Sequence, residues 1–156
     1  MLKQLFDYDT FKDLGKGTPT PDGHKQIPCH MVHDVKWDGR HKSQLFAGGH
    51  RTDAPTESTC SAVVSLLGAC VITFPAELNG MELWNTDIGN AHLESHTSEK
   101  VCFVAGAEFG ELVGHTLIIC KAQCGLKSSG KCWHDRLHDV LRSMGLSTKC
   151  QSTTIL

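Results

Sequence analysis

The chain has 156 residues, 40% of them apolar, with a formal net charge of −2 and a pI near 6.5. That is a globular composition with enough length for one domain and a core, which excludes a disordered chain. The charge balance offers no net basic excess of the kind that grips nucleic acid through its phosphates. The most apolar run, Ala62 to Phe74, falls short of the ~20 residues that a spanning helix needs. No signal-peptide pattern opens the chain, so the expectation is an intracellular protein with no membrane partner. Its eight cysteines contain no C-x-x-C pair and sit largely in apolar runs, as reduced structural cysteines do.

Residues 1–27 read as an irregular N-terminal arm, because Gly15, Gly17, Pro19, Pro21 and Gly23 punctuate them densely. A hairpin comes next. His30 to Trp37 alternates roughly apolar and polar, Asp38-Gly39 is a turn signal, and Lys42 to Ala47 is the return strand. Residues 49–59 form a polar loop.

Thr59 to Leu78 is apolar on nearly every side, which predicts a buried helix that Pro75 ends or kinks near Phe74. A strand is the alternative there, since periodicity does not settle short apolar runs. Met81 to Ile88 reads as a strand, with Asp87 near its end and Gly89 closing it. Further strands are expected at Lys100 to Val104 and Thr116 to Lys121. The plainest element is a helix in which Trp133, Leu137, Val140, Leu141 and Met144 make one apolar stripe. Gly145 is placed to cap it. Residues 147–156 are a polar tail.

Three segments carry possible chemistry: DGRHKSQLFAGGH from Asp38 to His50, TDIGNAHL from Thr86 to Leu93, and KAQCGLKSSGKCW from Lys121 to Trp133. In that order and spacing they resemble the copia-type retrotransposon reverse transcriptases. Members of that family carry a K-A-R-L-V-A-like fingers strand, a D-V-x-N-A-F-L-like first palm motif and an A-L-Y-G-L-K-Q-A-P-R-x-W-like block. The resemblance runs from Trp37 to Gly145.

It implies an α+β fold, a partial right-hand polymerase over residues 28–146 with fingers and an incomplete palm, its sheet mixed or antiparallel and backed by helices. It also implies an ancestral RNA-directed DNA polymerase acting on an RNA or DNA primer-template and deoxynucleotides. Asp87 corresponds to the first magnesium-binding carboxylate of the palm, and Lys42 to the basic position of the fingers strand. His92 falls where the family keeps an aromatic residue beside the nucleotide sugar. Gly125 and Lys127 match the glycine and lysine of the third block, under the nucleotide.

The departures are Gln44 for arginine, His92 for the aromatic, Cys124 for tyrosine and Gly130 for proline. The family's Y-V-D-D-like aspartate pair is also absent, since Leu146 to Leu156 contains no aspartate. A lone aspartate does not assemble a two-metal site, so the expectation is a truncated, inactive fragment that holds no magnesium tightly.

Three other readings stand beside this one. Cys120, Cys124, His134 and His138 spell C-x3-C-x9-H-x3-H, a candidate zinc module. A thiol hydrolase would use one of the cysteines with a histidine, although none is framed by a nucleophile motif. A non-catalytic nucleic-acid-binding remnant would use His41, Lys42, Arg51, Lys127 and Lys131.

Overall fold

The computed structural model describes residues 2–53, 59 and 64–146. The fold is α+β, as expected, with one mixed four-stranded sheet, one two-stranded sheet and packed helices. In chain order the helices and strands are α1 (Leu2–Asp7), β1 (Phe11–Lys16), β2 (Lys25–Gln26), β3 (Cys29–Val35), β4 (His41–Ala47), α2 (Leu66–Leu78), β5 (Val101–Val104), β6 (His115–Ile119) and α3 (Ser129–Ser143). The larger sheet has the order β1-β6-β5-β2, with the first two pairings antiparallel and β5-β2 parallel.

The first 27 residues correct the expected arm. They provide a helix and two strands of the main sheet. Leu5 and Ile27 join Leu45, Phe103, Leu117, Ile119 and Leu126 in one buried cluster, so no boundary separates residues 1–27 from the rest of the folded unit. The glycines that suggested a coil do something more specific. Between Asp13 and Lys16 the β1-β6 register slips, and Gly15 takes φ +98° in that irregularity. A residue with no Cβ adopts such a backbone freely, so the glycine marks a bulge inside a strand pairing.

The aromatic rings around β1 close this core. Phe11 packs edge-on against Phe6, Phe103 and Phe109, with centroids 5.4 to 6.0 Å apart. That is the arrangement aromatic quadrupoles favour. Phe103 and Leu117, on adjacent central strands, pair directly and are almost wholly buried.

The hairpin forms as expected. β3 and β4 pair in register from Cys29↔Ala47 to Val35↔His41. The turn is a three-residue loop, Trp37 to Gly39, closed by Lys36 N–H to the Arg40 carbonyl at 2.9 Å. Gly39 at φ +80° supplies the left-handed residue such a loop requires. The base of the hairpin is buried through Leu45 and Ala47, while its tip stands clear and Trp37 is 99% exposed.

α2 forms within the segment expected to be a helix, but it is not buried and it runs past Pro75. Only Gly68 and Ala76 are buried, whereas Leu66, Leu67, Val71, Ile72, Phe74 and Leu78 are exposed. The core is built by the sheet, the N-terminal segment and the hairpin base, and among the described residues nothing packs over α2's apolar sides. Pro75 does not end the helix either, and lies inside it. Asn79 and Gly80 do the stopping. Met81 N–H reaches the Ala76 carbonyl at 2.9 Å and Gly80 N–H the Glu77 carbonyl at 3.2 Å, with Gly80 left-handed. That is a Schellman stop, one turn later than the proline suggested.

Met81 to Ile88, expected as a strand, has no regular secondary structure and no ladder partner among the described residues. β5 and β6 fall where strands were expected. α3 spans its predicted stripe, and Trp133, Leu137, Val140 and Leu141 are half-buried while Met144 is exposed. It rests on a short 3-10 turn, Ala91–Glu94. Its end is a second Schellman stop, with Leu146 N–H on the Leu141 carbonyl at 3.0 Å and Gly145 at φ +79°. The polar tail, 147–156, lies outside the described residues.

Candidate functional site

Two of the three family-like segments meet in space. The Ala47 N–H, at the end of β4, donates to the Cys124 carbonyl at 2.8 Å. The Gln123 amide Nε2 donates to the Leu45 carbonyl at 2.7 Å, and Gln123 is buried. The hairpin base is thus stitched to the Lys121–Trp133 segment on both sides of one strand residue. An unsatisfied buried carbonyl costs more than a typical hydrogen bond contributes, so these two bonds fix the joint.

Gly125 sits at the closest point. A Cβ on it would collide with the Ala47 carbonyl oxygen, and its φ is +96°. Gly49, just past β4, meets the Gly125 carbonyl from the other side, where a Cβ would also collide. Sequence reasoning marked Gly125 as a nucleotide-floor position. In the structure it is where two backbones touch, and both that close approach and its left-handed φ call for glycine. Gly49 carried no signal beyond the Gly48-Gly49 pair.

Downstream of the joint the chain turns into α3 through buried polar groups. Glu99 Oε1 accepts from the Ser128 N–H at 2.9 Å and the Ser128 hydroxyl at 2.8 Å. Ser129 donates its hydroxyl to the Gln123 carbonyl at 2.7 Å. A carboxylate at a helix N-terminus is favoured by the unpaired N–H groups and the helix dipole. Glu99 is therefore a tertiary cap, one that spacing along the sequence did not reveal.

The proposed ligand contacts divide. Lys42 lies on the outer half of β4, opposite Asp34, and its ammonium acts on the Cys124 thiol. It is exposed and borders a shallow depression of about 490 Å³ that His33, Asp34, Val35, His41 and Ser43 also line. His33 shares a 2.8 Å hydrogen bond with the Ser43 hydroxyl there. Lys127 is committed elsewhere, donating from Nζ to the Thr52 carbonyl at 2.6 Å. Lys131 bonds the Asp135 carboxylate at 2.6 Å. Two of the five residues of the nucleic-acid-binding alternative are thus held by the protein itself.

Asp87 does not join this neighbourhood through any hydrogen bond or ion pair among the described residues, and it stands exposed in the irregular 81–88 stretch. His92 lies in the 3-10 turn under α3, where its carbonyl accepts from Ser95 N–H at 3.2 Å and Ser95 Oγ at 3.0 Å. Its Nδ1 is buried without a partner. Among the described residues no three His, Cys, Asp or Glu side chains converge in a way that would hold a metal ion. At Asp87 the described residues offer no such group, whereas a hard divalent cation takes several oxygen ligands about one centre. The same holds for Cys120, Cys124, His134 and His138, which do not form a zinc group.

Two thiols, Cys29 and Cys124, lean away from nucleophilic chemistry. Burial pushes Cys29 up to about 12, Glu108 adds to the shift, and the Gly48 N–H opposes it. Burial also raises Cys124, against the pull of Lys42. A reactive cysteine needs the opposite shift, since the thiolate is the nucleophile.

No family model matches the chain, and neither a curated protein nor a solved structure matches it.

Proposed function

We propose that the chain is a segment of a copia-type retrotransposon reverse transcriptase, equivalent to the fingers and the first part of the palm, which as it stands does not polymerise. What carries this reading is the joint between the basic hairpin and the K-A-x-x-G-L-K block. Two motifs chosen for their order in the sequence are bonded through Ala47 to Cys124 and Gln123 to Leu45. Lys42 and Gly125 lie on the two partners of that joint, as a fingers strand and a nucleotide floor would require.

Inactivity follows from the carboxylates. Phosphoryl transfer by the two-metal route needs fixed negative charge around both ions, and preorganised charge supplies much of the rate. Asp87 brings one carboxylate from an exposed, irregular stretch, and among the described residues it belongs to no group of three or more His, Cys, Asp or Glu side chains that could hold a metal ion.

The test is primer extension on a homopolymer RNA template with magnesium and then with manganese. Incorporation equal to that of an Asp87→Ala control is the expected result. Extension clearly above the control overturns the inactivity. A complex of the chain with primer-template in which the Lys42 hairpin makes no contact overturns the fingers assignment.

A further inference from the structure

β3 keeps one edge open. Its other edge pairs with β4 along the whole strand, and two bonds just beyond the ladder fix which backbone groups face which way. Lys36 N–H reaches the Arg40 carbonyl at 2.9 Å, and Gly48 N–H reaches the Pro28 carbonyl at 2.8 Å. In an unbroken antiparallel ladder the direction alternates from residue to residue, so His30, Val32 and Asp34 turn their backbone groups toward β4. Cys29, Met31, His33 and Val35 turn theirs outward. The outward Val35 N–H is taken by the Asp34 carboxylate at 2.8 Å. Among the described residues no backbone group bonds to the outward N–H and C=O of Met31 and His33.

We propose that this edge pairs with the same edge of a second copy, β3 antiparallel to β3 about a two-fold axis at Val32, so that two hairpins make one continuous sheet. What selects a second copy is that the strand is complementary to itself in the register that uses its full length, Cys29–Val35. Centred on Val32, Met31 meets His33 of the second copy. Both are outward residues, so they exchange both backbone bonds, and the axis repeats the exchange. Val32, 41% exposed, meets its own copy at the axis. On the same face His30 meets Asp34 of the second copy, once on each side of the axis. These are the closer, non-hydrogen-bonded pairs, in which opposed side chains touch. An imidazole, charged or neutral, has an N–H for a carboxylate. His30 is already stacked on Phe46, and Asp34 stands opposite Lys42, so each row runs Phe46, His30, Asp34, Lys42 across the two copies. A slip of two residues either way sets Val32 against Asp34 or against His30 and shortens the overlap. Any extended segment can take the open backbone bonds of an edge. The side chains are more exacting, since they call for a base and an acid placed two residues to either side of an apolar centre, and β3 is itself such a strand.

Sedimentation equilibrium on the full chain over a range of concentrations tests this. The expected result is a reversible dimer of twice the 17.1 kDa chain mass. The His33 N–H points away from β4, so His33→Pro leaves the hairpin ladder whole, removes an outward donor from each copy and should raise the dissociation constant by more than about tenfold. His30→Asp sets like charges opposite each other on both sides of the axis and should raise it by about tenfold. Adding Asp34→Lys to His30→Asp restores opposite charges in the same register and should return it to within about threefold of the parent. Should His33→Pro change the circular dichroism of the chain, the charge variants alone decide. A monomer at every concentration overturns the proposal. So does a folded His33→Pro that associates as tightly as the parent. A double variant no tighter than His30→Asp overturns it too, because a different partner surface or register would not be rescued by the exchange.

Discussion

The sheet with its hairpin base and the α2 region from Leu66 to Ile88 are built from equally apolar sequence, yet they end in opposite places. In the first, Val101, Phe103, Leu117, Ile119 and Leu45 are buried almost completely. In the second, the large apolar side chains stay in water. Apolar content sets how much a segment gains by burial. Whether it is buried depends on what else the chain can lay against it. Each strand of the sheet finds a hydrogen-bonded neighbour on which apolar faces can stack. α2 satisfies its own backbone and, among the described residues, is left without a second layer.

That contrast can be broken at its tightest point. Gly125→Ala should cost about 3 kcal/mol or more, because it combines a disfavoured left-handed backbone with a collision on the Ala47 carbonyl. Urea denaturation of both forms checks it, and a loss within error of zero would mean that the hairpin and the block are not in contact. The next effect contrasts the two regions directly. Leu117→Ala should cost about 3 kcal/mol, as truncations in packed cores do, while Leu66→Ala should stay within about 0.5 kcal/mol. Equal losses at the two sites would put α2 inside a core.

The smallest effect is one of pH. Asp13 accepts the Gly15 N–H at 2.8 Å and pairs with His115 Nδ1 at 3.0 Å. The Gly15 N–H, chiefly, and then His115 hold its carboxyl below the ordinary 3.8. A carboxyl depressed in the folded state stabilises above its unfolded value, and that contribution fades as the pH falls through the folded one. Thermal melts should show Asp13→Asn less stable than the parent at pH 5 to 7 and the gap closing below about pH 4. A gap that widens in acid would mean that folding raises this carboxyl instead of lowering it.

Local signals are the ones that can be read from the sequence. The hairpin announces itself through alternation and Asp38-Gly39, and α3 through a five-residue stripe and Gly145. β5 and β6 are short runs of Val, Ile, Leu and Phe between turn residues. Non-local facts are hidden. Nothing near Phe11 says that its partner is Ile119, so the N-terminal strand reads as coil. The helical character of α2 is written in its own residues, but its exposure depends on no described residue packing over it. Met81 to Ile88 has strand-like composition and, among the described residues, no strand to pair with. The site divides the same way. Sequence order suggests that Lys42, Gly125 and Lys127 belong together, and the joint at Ala47 and Cys124 brings their segments into contact. That Lys127 is held by Thr52, and that Glu99 caps α3, required the three-dimensional path.

The β1-β6 pairing joins Asp13 to His115 across 102 positions of chain. A contact that distant forms late, because the intervening loop must close before the pairing returns any stability. During synthesis on a ribosome the first strand therefore waits, unpaired, for more than a hundred residues to emerge. Over that interval Phe11 lacks Phe103 and Phe109, two of the rings that later enclose it, and a chaperone that holds short aromatic stretches would find its substrate there.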